Sequence, residues 1–197
     1  MAALRSQLAD TLLQSASLDF AVGGGVMYYN RKRPALPTDL NALSPTGEGL
    51  LPSEVAGGEM AQVLVALIFI ARGALDAAHD IVGSLDSPEA TYAHAMIHRQ
   101  EGASTGEAGL PGYSNSRYWF SCLGEHPLFA QMTEFVAAHP GVPRTMSSSE
   151  WDPAAFVQHC ARSEQSGSPE DLAFCTAVQR KEWELLFDWC AESAGAA

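Results

Sequence analysis

The amino-acid sequence predicts an all-α protein, a compact bundle of about six to eight helices with a long irregular arm near the N-terminus. From residue 59 onward, apolar residues recur at the three- and four-residue spacing that places them on one face of a helix. No segment alternates convincingly as a strand would, and the one weak candidate is residues 26–29. Residues 30–58 contain four prolines and several glycines, which favour irregular structure.

We expect one domain over residues 1–197, built in two parts. In the first part, residues 1–58, a helix over 2–16 precedes three consecutive glycines and the irregular arm from 23 to 58. The second part, residues 59–197, is the helical core. Its helices are predicted over 59–84 with a kink at Gly73, over 88–101 after a Ser87 cap, over 114–123 with Ser114 or Asn115 as cap, from His126-Pro127 onward, over 153–162 after Asp152, and from Pro169 after Ser168.

Composition and charge exclude several classes of function. Apolar residues make up 47% of the chain, as in ordinary globular proteins, whereas the formal net charge is -12. A surface this negative repels phosphate backbones and anionic lipids, so we expect no nucleic-acid partner and no membrane attachment. The longest apolar run, residues 61–71, is far shorter than the roughly 20 residues that a membrane span needs.

Cysteine spacing and the N-terminal segment predict a cytoplasmic protein. Four cysteines, at 122, 160, 175 and 190, are too widely spaced for a zinc knuckle or a dense disulfide framework. The N-terminal segment, residues 1–20, lacks the continuous apolar run and cleavage site of a signal peptide. Reduced thiols in the cytoplasm are the simplest interpretation.

The segment YAHAMIHRQEG, residues 92–102, carries the strongest candidate for a site. His94, His98 and Glu101 lie on one face of the predicted helix, because residues three, four and seven apart stack there. Two imidazoles and a carboxylate can bind a divalent transition metal or move a proton. His79 from the preceding helix and His126 from the following one are possible further ligands. Two alternatives stay open: a core histidine beside a surface histidine, or a polar pocket without metal.

Four further residues near this helix are candidates for contacting a ligand. Arg99 can hold an anion with its guanidinium, or it can be a structural fork that ties down a loop. Asn115 can cap the next helix or contact a ligand. Tyr118 and Trp119 can pack in the core or line a pocket, since each joins an apolar ring to a polar tip.

Residues 75–129 resemble a family of uncharacterised proteins from bacteria, fungi and plants. Its sequences share the motif H-x3-HR-x-EGD, then N-A-x-YW-[FY], then G-x-HP. The matching residues here are His79, His94, His98, Arg99, Glu101, Gly102, Asn115, Tyr118, Trp119, His126 and Pro127. The chain departs from this pattern at Ala103, where the family has aspartate, at Ser116 in place of alanine, and in an inserted segment, roughly STGEAGLPG. The family has no assigned activity, so the resemblance implies a shared pocket but no reaction.

Three functions are therefore considered. The first is a small-molecule enzyme, with or without a metal, in which His98 and Glu101 are ligands or acid–base groups, Arg99 anchors an anion and Tyr118 lines the pocket. In that function Asn115, Trp119 and His126 contact the ligand. The second is a non-catalytic module that resembles helical repeats and binds a protein partner. The third is a ligand-binding accessory protein whose arm covers a cavity.

Overall fold

The computed structural model describes residues 20, 22–28, 32–53, 55–104, 111–143, 146 and 150–195. Within these residues there are helices and no strand, which confirms the all-α prediction. The eight helices are α1 Thr38–Asn41, α2 Glu59–Ala71, α3 Leu75–Val82, α4 Pro88–Glu101, α5 Gly112–Leu123, α6 Leu128–Ala138, α7 Pro153–Ser166 and α8 Pro169–Ser193. The helix predicted over residues 2–16 lies outside the described residues.

The central helix is α2. Ten of its 13 residues are buried, so it is apolar on nearly every face, as expected of a helix surrounded by protein. It packs against α3, α4 and α8. On the α8 side, the indole N–H of Trp183 donates to the carbonyl oxygen of Leu67 at 2.8 Å. No helix among the described residues has the length and apolar character needed to cross a membrane.

The prediction of one kinked helix over residues 59–84 is wrong, because the chain breaks completely after Ala71. Gly73 has a φ of 68°, a left-handed conformation that a β-carbon disfavours, and the helix cannot continue through it. The N–H of Ala74 turns back to the carbonyl oxygen of Phe69 at 2.9 Å. As a result α3 is a separate helix that packs on both α2 and α4, and it carries His79.

Three helix starts were predicted from local sequence, and the structure confirms them. Ser87 accepts a hydrogen bond from the N–H of Ala90 at 3.3 Å, and proline follows it at the first helical position. Asp152 and Ser168 cap α7 and α8 in the same way. Two limits differ from the prediction: α7 continues to Ser166, and α5 begins at Gly112, ahead of both proposed caps.

The arm lies across α3 and α4 and contains the single-turn helix α1. The N–H of Gly25 donates to the carbonyl oxygen of Gln100 at 3.0 Å. The N–H of Tyr28 donates to the carboxylate of Asp76 at 2.9 Å. Leucines of the arm enter the common core, with Leu40 only 1% exposed. The arm is therefore irregular in backbone but packed against the helices.

Candidate functional site

Three histidines from two neighbouring helices form the centre of the candidate site. His94 and His98 are one turn apart on α4, and their rings stack with centroids 5.0 Å apart and planes inclined by 26°. His79 on α3 presents its ring nearly perpendicular to both, at centroid distances of 4.5 Å and 5.3 Å. One ring nitrogen of each histidine lies within 4.8 Å of those of the other two. We call these three residues the histidine cluster.

The carboxylate of Glu101 holds the ring of His98 from behind. Nδ1 of His98 and Oε2 of Glu101 are 2.9 Å apart, and both side chains are almost fully buried. An ionised carboxylate can only accept, so Nδ1 donates its N–H to Glu101, and Nε2 is the ring nitrogen that faces away from it. The sequence pattern placed Glu101 among possible metal ligands, whereas the structure places it as the partner of a histidine.

Asn115 on α5 lies against the ring of His98. Its amide nitrogen is 3.0 Å from Nε2 and 3.3 Å from Nδ1. An atom this close to both ring nitrogens cannot be in line with the lone pair of either one. Asn115 therefore lies over the face of the ring, and the in-plane position at Nε2 is left for another partner. It does not cap α5, since Pro111 occupies the cap position.

A close approach of α5 to α4 makes these contacts possible. A β-carbon on Gly112 would lie 2.5 Å from the carbonyl oxygen of His98, so a larger residue would push the two helices apart. The helices run antiparallel, so Asn115 reaches His98 and Trp119, one turn later, reaches His94. The indole of Trp119 stacks on the ring of His94 with centroids 3.9 Å apart and planes inclined by 20°.

The protonation of His94 follows from this packing. Burial lowers the pKa of His94 to about 3, and a positive charge on a neighbouring ring, His79 or His98, acts in the same direction. His94 is therefore a neutral imidazole at neutral pH. Neutral imidazole is the form that can bind a metal ion, because only it has a free lone pair.

Arg99 points away from the histidine cluster and into the core against α8. Its Nε donates to Oε1 of Gln179 at 3.0 Å, and its Nη2 pairs with Oε2 of Glu182. The other oxygen of Glu182 accepts from the hydroxyl of Tyr92 at 2.9 Å. The guanidinium carbon also lies 4.9 Å from the ring centroid of Phe156. This arrangement favours the alternative in which Arg99 has a structural role. Its guanidinium joins α4 to α8, whereas the prediction had it holding a loop.

Glu182 is the residue that sequence reasoning missed and that determines the direction of Arg99. The two are 83 positions apart, so no local spacing connects them. One sequence signal was present: Glu182 falls four residues from Val178 and from Leu186, on an apolar stripe of α8. Burial first, and then the charge of Glu182, raise the pKa of Tyr92 well above its ordinary value, so that hydroxyl stays protonated and donates.

His126 lies at the opposite end of α4 from His98, in a separate polar cluster. Its Nε2 is 3.9 Å from Oε1 of Glu89, and its ring meets the ring of Tyr92 edge-on at 5.2 Å. The indole N–H of Trp189 donates to the same oxygen of Glu89 at 2.7 Å. His126 first, and Trp189 after it, lower the pKa of Glu89 to about 2 against the opposing effect of burial.

Tyr118 stands on the outer face of α5 and is 58% exposed. Its ring meets that of Trp119 edge-on at a centroid distance of 5.5 Å. The sequence-selected residues that the structure brings together are His79, His94, His98, Glu101, Asn115 and Trp119.

The arrangement combines three imidazoles, a carboxylate behind one of them and an amide beside it. The polar residues selected from the sequence fall into three separate groups in space: the histidine cluster with Glu101 and Asn115, the Arg99 pair and the His126 pair. In comparisons with models of protein families, with curated proteins and with solved structures, the chain matches none of them.

Proposed function

We propose that the histidine cluster binds one divalent transition-metal ion and that this ion supports a reaction on a small molecule. The observation that carries the proposal is the convergence of one ring nitrogen from each of His79, His94 and His98 within 4.8 Å. The carboxylate of Glu101 on Nδ1 of His98 supports it, because metal-binding histidines commonly donate their second N–H to such a group.

The geometry requires only a modest closure on binding. Zinc–nitrogen bonds of about 2.0 to 2.1 Å in a tetrahedron separate the ligand nitrogens by roughly 3.3 Å. Nitrogens that now lie up to 4.8 Å apart would therefore move together by rotations of their side chains. His79 is the least buried of the three, whereas Trp119 packs on the ring of His94 and Glu101 holds the ring of His98.

The donor set favours some metals over others. Imidazole nitrogen suits Zn²⁺, Cu²⁺, Ni²⁺ and Fe²⁺, whereas Mg²⁺ and Ca²⁺ prefer oxygen ligands. Three neutral ligands also leave the full positive charge of the ion in place. An ion held by three protein ligands keeps a position open for water, lowers the pKa of that water and makes it a nucleophile. Asn115, next to Nε2 of His98, is placed to hydrogen-bond a water or substrate oxygen there.

Metal titration tests the proposal. The purified protein, stripped with a chelator, would be titrated with Zn²⁺ and with Co²⁺, whose visible absorption reports tetrahedral nitrogen ligation. We expect one equivalent to bind, and replacement of His79, His94 or His98 by Asn to weaken binding at least about 100-fold, since each removes a ligand. His139→Asn is the matched control, because His139 contacts Phe135 and Phe174 at the far end of α6.

Failure to bind an equivalent of metal, or equal binding by all four variants, would contradict the proposal. The alternative function, a non-catalytic interaction module, would then be favoured. The Arg99–Glu182 pair supports that alternative, because it shows that conspicuous polar residues of α4 can serve packing between helices.

A further inference from the structure

A second candidate site lies between the arm and α3. A cavity of about 330 Å³ opens there, and none of the three clustered histidines is among its lining residues. Its volume is at the lower end of the roughly 300 to 1,000 Å³ typical of small-molecule pockets. The cavity thus has room for a small ligand without displacement of the helices.

A second cavity lies beside the first, toward α4. It has a volume of about 320 Å³, shares part of the same wall, formed by Val26, Tyr28, Pro34, Gly73 and Leu75, and reaches Gln100. The second cavity is also bordered by the glycine segment of the arm, residues 23–25. The two spaces together form what we call the arm cavity.

The surfaces of the arm cavity are mainly apolar. Its first space is lined by side chains that include Val26, Pro34, Leu36, Pro37, Leu40 and Leu75. Leu40 and Leu75 are each 1% exposed and form part of its floor, whereas Val26 is 56% exposed and borders solvent. Burial of the apolar area that is still exposed, such as that of Val26, against a ligand would be favourable at about 25 cal/mol per Å².

The described arginines that line the first cavity are each paired with an aspartate. The described residues of this lining include two arginines and two aspartates. Arg33 contacts Asp80 at 3.1 Å through Nη2 and Asp76 at 3.3 Å through Nε. Arg72 contacts Asp39 at 2.8 Å. A charged ligand would have to displace one of these pairs and replace its contacts, whereas an uncharged ligand would leave them intact.

We propose that the arm cavity binds a small uncharged molecule with an apolar body. The cavity supplies apolar area for the body, and the paired charges at its edge disfavour carboxylates and amines. This site is independent of the metal proposed for the histidine cluster, so either proposal can fail alone.

A neutral fluorescent probe tests the assignment. N-phenyl-1-naphthylamine would be titrated into the full-length protein, and octan-1-ol, octanoate and octylamine would compete for its site. We expect saturable binding with blue-shifted emission, and displacement by the alcohol at concentrations at least about tenfold lower than by either charged analogue, because burial of an unpaired charge is costly. Binding that does not saturate, or equal competition by octanoate, would overturn the proposal.

Two variants locate the probe. Ala77→Phe places a ring in the cavity, and Leu36→Asp places a charge in its arm wall, so we expect each to weaken probe binding at least about tenfold. Ala130→Phe, at an exposed position of α6, is the matched control and should bind as wild type does. Circular dichroism confirms that each variant is folded. Should Ala77→Phe fail to fold, Leu36→Asp decides, and unchanged binding in a folded variant would refute the location.

Discussion

Replacement of Arg99 by methionine separates a structural from a functional role for this residue. Arg99→Met keeps an apolar stem of similar length but removes the positive charge that is paired with Glu182. The side chain of Glu182 is fully buried. The hydroxyl of Tyr92 is then left to hydrogen-bond a buried carboxylate without its cation. Breaking a buried ion pair in this way costs about 3 to 5 kcal/mol. For a chain of this size the melting temperature should fall by on the order of 10 °C.

The assay is urea denaturation of the metal-free protein, followed by zinc titration of the folded variant. The matched control is Arg180→Met, because Arg180 forms an exposed ion pair on α8, the helix that carries Glu182. Its Nε lies 3.2 Å from Glu184, and 59% of its side chain is exposed. We expect that control to change the free energy of unfolding by less than about 1 kcal/mol. Zinc affinity should be unchanged in both variants, since Arg99 does not contact the histidine cluster.

A double variant tests the cause of the loss. Arg99→Met combined with Glu182→Leu removes both charges, and it should recover much of the stability because no unpaired charge stays buried. The reasoning would be refuted if Arg99→Met were as stable as Arg180→Met. It would also be refuted if the folded Arg99→Met protein lost its affinity for zinc while keeping its stability.

Three further predictions follow from the same contacts. Gly112→Ala should lower the free energy of unfolding by about 1 to 3 kcal/mol and weaken zinc binding, because the new β-carbon meets backbone of α4. The control is Gly141→Ala, whose β-carbon would meet a side chain at 3.5 Å, and it should fold and bind zinc as wild type does. Glu101→Gln should lower zinc affinity about tenfold with little change in fold, measured by chelator competition, and an unchanged affinity would exclude its supporting role. Glu89 has a pKa of about 2, lowered from 4.5, so its carboxylate stabilises the fold above pH 4.5 and loses that effect as the pH falls toward 2. Glu89→Gln should therefore be less stable than wild type at neutral pH, by up to about 3 kcal/mol, and the difference should shrink in acid denaturation series; a constant difference would contradict the assignment.

Some of these predictions concern zinc affinity and others concern stability, because α4 carries polar residues on two different faces. Eleven of its 14 residues are buried, so it has almost no solvated face and its polar side chains need partners inside the protein. One face carries His94 and His98 toward α3 and α5. Another carries Tyr92 and Arg99 toward Glu182 on α8. The polar residues of the first face belong to the histidine cluster, and those of the second form an ion pair that joins two helices.

Local sequence signals determined where α4 begins and that two of its histidines share a face. The Ser87 cap and Pro88 define the start of α4, and the four-residue spacing places His94 and His98 on one face whatever surrounds them. These features depend on residues within one or two turns of each other. They could therefore be predicted without any knowledge of how the helices pack.

Tertiary structure decided which distant groups join the site and which do not. His79 reaches the cluster because the chain breaks at Gly73 and α3 packs separately on α4, and Asn115 reaches His98 because Gly112 lets α5 approach. Arg99 is drawn away by Glu182, which is 83 residues distant in the chain. The spacing around Arg99 is the same whether it faces a ligand or a core carboxylate. Only the packing of α8 against α4 supplies the charge that makes the difference, because an ion pair depends on distance in space and not on separation in sequence.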